Sequence, residues 1–281
     1  MHRLSYSEIC AETTGSFNTL DAERIGFLRK ENAQWNHGHG PRNYYVAEAI
    51  LEYVNRLGIR HLDVLNLSGT NEGKPDPVLY DLLKRQFSMG TLSWTIVDHP
   101  RSLTFSDPHI RNWMAARSIS CIAHDHRDGD AVIPQATADV VLCTEIVEHL
   151  DYSVAIRLLR LCRRSMKPGG LLILTTPNAI YLGYRVLFAL GQWDFLHHND
   201  DPAHVDAGVV GHTIYYDGRR LTRLLRALEF VDVRASTFNS GHGPGEFRNA
   251  LTRTAAITLR MLSHVVPRSA QVLLVTAERP A

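Results

Sequence analysis

The densest group of chemistry-bearing residues is Thr144-Glu145-Ile146-Val147-Glu148-His149, directly after the apolar run 138–143. In one turn of helix, positions i, i+3 and i+4 are neighbours, so Glu145, Glu148 and His149 would share a face. Two carboxylates held that close repel each other unless a proton or a cation lies between them. A neutral imidazole beside them completes three facial ligands for a divalent metal. The same spacing has a second reading, in which Glu145 meets a cofactor or substrate while Glu148 and His149 cap the helix. Further histidines lie in loops. His37 and His39 occupy a glycine-flanked loop, and His197, His198, Asp200, Asp201, His204 and Asp206 form a polar cluster. Each group either closes over a site or is an ordinary solvated loop. Arg219, Arg220, Arg223 and Arg226 paint one helix positive, for a phosphate or RNA backbone or simply as a solvated face.

Alternating elements must position these residues. Short apolar runs at 61–67, 92–98, 118–123, 138–143, 171–175, 230–235 and 271–276 read as strands, several covered on both faces. Helical patterns lie between them at 44–57, 152–166, 221–228 and 249–266. Pro168-Gly169-Gly170 is expected to stop the second of these. Strand–helix alternation implies an α/β fold with a mostly parallel sheet and right-handed crossovers. The last strands resemble a hairpin-type sheet edge. Residues 1–43 form an N-terminal cap segment, and 44–281 the main domain. A long irregular stretch at 179–212 is expected to be a lid.

With its acidic turn, the following helix, Lys167-Pro168-Gly169-Gly170 and Thr175-Thr176-Pro177-Asn178, the chain resembles the class I S-adenosylmethionine-dependent methyltransferases. The resemblance spans roughly residues 44–276. It implies a Rossmann-like, seven-stranded, mostly parallel sheet with one antiparallel edge strand and helices on both faces. It also implies S-adenosyl-L-methionine as cofactor, held near Asn66, Ser68, Gly69, Asp98, Asp125 and Thr144. Asp98 would meet the ribose hydroxyls and Asp125 the adenine amino group, with Asp128 and Asp130 competing for the latter role. The first turn departs from the family: Asn66 stands in place of an acid and Ser68 in place of a glycine, with Gly69 and Gly73 left for close backbone approach. A second resemblance, to small-RNA 3′-terminal 2′-O-methyltransferases and ubiquinone-biosynthesis O-methyltransferases, implies that Glu145, Glu148 and His149 are metal ligands. In that pattern His212, in Gly211-His212-Thr213-Ile214-Tyr215-Tyr216-Asp217, is the fourth. Mn²⁺, Fe²⁺, Co²⁺ or Zn²⁺ suit such a set better than Mg²⁺, which prefers oxygen. Glu145, His149 and His212 are then the residues expected to act on the acceptor.

Composition bounds the partners. Thirty basic and 29 acidic side chains leave a formal charge of +1, which excludes a generic polyanion binder. The balance is uneven: residues 1–212 carry 20 basic and 24 acidic side chains, 213–281 carry 10 and 5. Cys10, Cys121, Cys143 and Cys162 show no C-x-x-C spacing and read as buried reduced thiols of a cytoplasmic protein. Neither a signal peptide nor a membrane helix is visible. The expected activity is metal-assisted O-methylation of a small molecule bearing a vicinal diol or catechol, such as a sugar, polyketide or quinone-like metabolite. The alternatives are methylation of an RNA 3′-terminal ribose, and a methyltransferase-like fold that only binds. Oligomeric state is not specified by the sequence.

Overall fold

A computed structural model describes residues 5–29, 33, 36–68, 75–87, 90–126, 128, 132–191, 212–240 and 250–281. Gly69, Gly73, Asp130 and the polar cluster at 197–206 lie outside the described residues. In chain order the elements are α1 (Tyr6–Ile25), α2 (Gly40–Leu57), β1 (His61–Asn66), α3 (Pro75–Gln86), β2 (Thr91–Asp98), α4 (Leu103–Ser106) and α5 (Pro108–Ala115). They continue with β3 (Ser120–Ala123), β4 (Ala138–Thr144), a 3-10 turn (Val147–His149), α6 (Tyr152–Ser165), β5 (Met166–Pro177) and α7 (Leu182–Ala189). Last come α8 (Gly218–Ala227), β6 (Val231–Phe238), α9 (Ala250–Val265) and β7 (Val272–Glu278).

The seven expected strands form one sheet in the order β3-β2-β1-β4-β5-β7-β6. Neighbours from β3 through β5 are parallel. β7 runs antiparallel to both β5 and β6, and its pair with β6 makes the antiparallel edge. Alternate side chains leave the sheet on opposite faces, and both faces are covered. Val64, Ile96, Val140, Leu142 and Ile173 pack with Ile50 and Val54 of α2, Leu83 of α3 and Ile110 of α5. Leu65, Val97, Val141, Cys143, Leu172 and Leu174 pack instead with Leu158, Leu159 and Cys162 of α6 and Leu221 and Leu225 of α8. Two-sided burial is why the central strands read as continuous apolar runs.

Three details differ from expectation. α2 begins at Gly40, ahead of the apolar periodicity, so the expected boundary after residue 43 falls inside a helix. Pro41 occupies its first turn, where a missing N–H costs nothing. α1 packs on this helix through Thr13 Oγ1, which accepts from Asn43 Nδ2 at 3.3 Å, and touches α3 through Phe17 and Ile9. α6 ends at Ser165, not at the proline: Met166 already pairs with Ala138, and Pro168-Gly169-Gly170 form a bulge before Leu171 pairs with Val140. Finally, the four cysteines are unpaired, but only Cys143 and Cys162 are buried; Cys121 is exposed, because β3 is an edge strand covered on neither side along most of its length. No helix among the described residues is long and apolar enough to cross a membrane.

The bulge explains its glycines. Gly169 has φ +75°. A Cβ on Gly170 would lie 2.9 Å from the Lys167 carbonyl oxygen and 3.2 Å from those of Ala138 and Asp139, all backbone that cannot swing away. Gly170→Ala is expected to lower the unfolding free energy by about 1–3 kcal/mol. A urea melt with an unchanged midpoint would show that the bulge tolerates a side chain.

Candidate active site at the carboxyl edge of the sheet

β4 delivers Glu145 to the carboxyl edge, where the chain turns sharply. Glu145 has φ +50°, a left-handed conformation that costs an L-residue roughly 1–2 kcal/mol. Its N–H donates to the Thr175 carbonyl at 2.8 Å, which anchors the turn to β5. The 3-10 turn then carries Glu148 and His149. Glu145 is therefore not part of a helical face with them, and the i, i+3, i+4 argument holds only for the outcome that all three lie at one strand end. Side-chain directions differ. Glu145 Oε2 pairs with Arg42 Nη2 of α2 at 3.0 Å, and its Oε1 is buried without a hydrogen-bond partner. Arg42 Nη1 also donates to His39 Nδ1 at 3.2 Å. His39, expected in a loop, is buried at the start of α2 against Phe17, whereas His37 is exposed.

Glu148 is 1% exposed. Its Oε2 accepts from Thr176 Oγ1 at 2.9 Å, while Oε1 is buried with no partner, 4.0 Å from His149 Nε2. Burial, and then the neighbouring Glu145 carboxylate, push the Glu148 carboxyl well above the usual range. His212 is brought to the same place by a backbone latch. Thr213 N–H and Ile214 N–H donate to the Glu148 carbonyl at 2.7 and 3.1 Å, and Thr213 Oγ1 donates to the Glu148 and Leu150 carbonyls at 3.0 Å each. The His149 and His212 rings stand 4.8 Å apart, centroid to centroid. Glu148, His149 and His212 each offer a ligand atom within 4.8 Å of the others, and among the described residues this is the group of His, Cys, Asp and Glu that converges as a metal site would.

Aromatic rings flank the cluster. Tyr215 lies 5.6 Å from His212, Tyr184 of α7 lies 6.3 Å from Tyr215, and Tyr181 lies 5.3 Å from Tyr184. Burial, the adjoining tyrosines and Glu145 push the Tyr184 phenol up to about 12, so it stays a neutral donor. Sequence reasoning missed Arg42, Thr176 and Tyr184. The arginine belongs to the segment read as an N-terminal cap, and the tyrosine carries no motif.

The residues expected to hold the cofactor occupy the neighbouring strand ends. Asn66 closes β1, and its Oδ1 accepts from the Ser68 N–H at 3.0 Å and from the Ser68 hydroxyl. Ser68 Oγ lies 3.1 Å from Thr144 Oγ1 at the end of β4, joining two expected cofactor residues. Asp98 ends β2, buried, and its carboxylate accepts from the Thr104 hydroxyl at 2.6 Å, the His99 N–H at 2.7 Å and the Ser102 hydroxyl. Burial outweighs those bonds and raises its carboxyl above the usual range. Asp125 Oδ2 lies 3.3 Å from His99 Nε2, which puts it across from the end of β2. Asp128 is exposed on the turn that its N–H closes to the Asp125 carbonyl at 2.8 Å. A further acid was not anticipated: Asp76, in the first turn of α3, is fully buried behind Asn66.

A reversed β7 inside an otherwise parallel sheet, with polar and acidic strand ends lining one edge, defines the Rossmann-like architecture of class I methyltransferases. Residues 41–235 match the methyltransferase domain family. The chain belongs to that family and is an S-adenosylmethionine-dependent methyltransferase. No curated protein matches it. Among solved structures it is similar to an S-adenosylmethionine-dependent methyltransferase from Mesorhizobium loti, at 16% identity and TM-score 0.50, over 84% of this chain and 97% of that one. It is also similar to an O-methyltransferase family protein from Burkholderia thailandensis, at 17% identity and TM-score 0.50, over 90% and 61%. A third similarity is to the CurJ carbon methyltransferase, at 11% identity and TM-score 0.55, over 100% and 72%. At these identities the likeness is one of fold.

The raised Glu148 carboxyl sets the sign of a pH effect. In the metal-free protein the folded state keeps a proton on Glu148 that the unfolded chain has released. Its contribution is therefore fully present below the ordinary carboxylate pKa and is lost as pH rises toward the folded value. In chelator-treated protein the melting temperature is expected to fall as pH rises above the ordinary carboxylate range, with a shallower fall in Glu148→Gln. Equal slopes in the two proteins would contradict this account.

Proposed function

We infer that this enzyme is a metal-assisted O-methyltransferase of small molecules carrying two neighbouring hydroxyls, a vicinal diol or catechol of a sugar, polyketide or quinone-like metabolite. The observation that carries the reading is the convergence of Glu148, His149 and His212 beside the Tyr184 and Tyr215 rings. The donor set fits a divalent cation. A buried, unpartnered Glu148 oxygen next to a second carboxylate is costly as a bare charge and is relieved by a positive ion. Glu148, His149 and His212 would hold it, with the expected fourth ligand, Glu145, turned to Arg42 instead, and two imidazoles with a carboxylate favour Mn²⁺, Fe²⁺, Co²⁺ or Zn²⁺ over Mg²⁺. When bound, the metal supplies Lewis acidity that lowers the pKa of an acceptor hydroxyl. S-adenosylmethionine, when bound, supplies the electrophilic methyl group.

The chain's own residues do the positioning. Arg42 restrains Glu145, Thr176 orients Glu148, and the Thr213 latch fixes His212. Tyr184 and Tyr215 give a planar acceptor an apolar wall that excludes water and limits its orientation. Four unpaired cysteines accord with a cytoplasmic setting.

One observation favours a second acceptor, the 3′ end of an RNA. Arg220 stacks over Tyr152 at 5.8 Å and Arg163 pairs with Glu229 at 2.7 Å, which sets α6 and α8 side by side. Arg157, Arg160, Arg219, Arg223 and Arg226 are exposed on these helices. Such a surface attracts a phosphate backbone in a salt-dependent way.

Turnover on a panel of catechols, sugar diols and RNAs with 3′-ribose or 3′-deoxyribose ends, alongside metal analysis by mass spectrometry, tests both. Glu148→Ala and His212→Ala are expected to lose the ion and about two orders of magnitude or more in kcat/KM. Thr176→Val, which touches only a ligand, is expected to lose about tenfold. Ala variants that keep both ion and turnover would remove the metal site from the proposal. Turnover on ribose-ended RNA alone, weakening with salt, would put the second acceptor in place of the first.

A further inference from the structure

The first cofactor turn departs from its family at two positions, and the structure contains a compensating device. Asn66 stands where the family carries an acid, and directly behind it a carboxylate is buried with no solvent contact. Asp76 accepts from Asn66 Nδ2 through Oδ1 at 2.9 Å and Oδ2 at 3.0 Å. Trp94 Nε1 of β2 donates to its Oδ1 at 2.6 Å. An ionised carboxylate accepts only, so it forces the donor end of the Asn66 amide toward itself. The acceptor end, Oδ1, is thereby turned the other way, onto the Ser68 N–H and hydroxyl. Ser68 Oγ in turn meets Thr144 Oγ1. A single carboxylate thus fixes the sense of a hydrogen-bond chain running from β2 through β1 to β4, across the positions that line the cofactor crevice.

We propose that Asp76 is the positioning residue of the cofactor turn: its carboxylate locks the Asn66 amide in the orientation that holds Ser68 against β1 and β4 for S-adenosylmethionine. The family's strand-end acid has, in effect, been moved one layer back, with a neutral amide relaying its influence to the turn. Placement in the first turn of α3 favours the anion, through the helix dipole. Without that charge the amide has no preferred sense. A protonated Asp76 can donate to Asn66 Oδ1, and the flipped amide then turns its N–H₂ toward the Ser68 N–H, donor against donor. The balance lies close to neutrality, since burial raises the Asp76 carboxyl to about 7 against its hydrogen bonds from Asn66 and Trp94. Among the described residues the other titratable groups it feels are Asp98 at the end of β2, which raises it further, and the exposed thiol of Cys121 on β3. This inference is independent of the metal and of the acceptor.

The test is calorimetry of S-adenosylmethionine binding to the full chain at several pH values, without acceptor. Asp76→Asn is expected to bind about tenfold or more weakly at pH 8, about the cost of leaving one buried donor unmatched. The exchange variant Asn66→Asp/Asp76→Asn, which returns the acid to the strand end, is expected to recover to within about threefold of the parent. Wild-type affinity should fall as pH drops through about 7, and Asp76→Asn should lack that dependence. NMR of the cofactor-free wild-type protein covers the case of a variant that does not fold. The Trp94 indole N–H and the Ser68 amide are expected to shift with one shared midpoint. Unchanged affinity in a folded Asp76→Asn, or a Ser68 amide that ignores the Trp94 titration, would overturn the proposal.

Discussion

A carboxylate deprived of water beside a second carboxylate cannot stand alone, and that constraint organises the carboxyl edge of this sheet. Glu148 is fixed there by Thr176 below it and by Thr213 and Ile214, which take its backbone carbonyl. Those same bonds bring His212 to His149. Glu145 is drawn aside by Arg42, so the two acids share a turn without sharing a direction. The charge problem is answered partly by a guanidinium, partly by a proton and, in the reading favoured above, by a cation. The left-handed backbone at Glu145 is the local cost of bending the chain sharply enough to assemble the group.

Much of this was legible in the chain itself because two-sided burial writes strands as apolar runs, and all seven occur in order. Glu148, His149 and His212 were legible as a group through their motif, and they do converge. What escaped was set by packing rather than periodicity. The start of α2 at Gly40 depends on α1 lying across it, where Gly40 meets the Cys10 backbone too closely for a side chain. Arg42 then belongs to the site, although nothing in its local sequence announces it. Asp76 was invisible for a similar reason: an acid in the first turn of a helix is ordinary, and only the three-dimensional approach of Asn66 and Trp94 buries it. The expected burial of Cys121 failed because alternation cannot tell an edge strand from a central one.

The fold leaves the chemistry of the acceptor open in an instructive way. Its architecture is shared with proteins described as an O-methyltransferase and as a carbon methyltransferase. The shared fold therefore does not by itself specify the acceptor. Above the strand ends this chain carries the imidazole–carboxylate group of Glu148, His149 and His212 and the tyrosines of α7 and of the segment before α8. The chain also carries exposed apolar residues along α9, Ile257, Met261 and Val265, at four-residue spacing on one side of the helix.

The reversed direction of β7 has a practical geometric result. Its beginning, opposite Pro177, lies at the carboxyl edge of the parallel strands, where Asn178 Nδ2 donates to the Arg268 and Ala270 carbonyls at 2.9 and 2.7 Å. Its end pairs with Leu171, and Arg279 continues into hydrogen bonds with Gly169 and Gly170 at the opposite edge. The chain after Arg279 therefore leaves from the floor of the sheet, away from the strand ends that carry Glu148 and His149. An affinity handle or fluorophore placed there can immobilise or report on the enzyme while leaving the mouth of the site unobstructed.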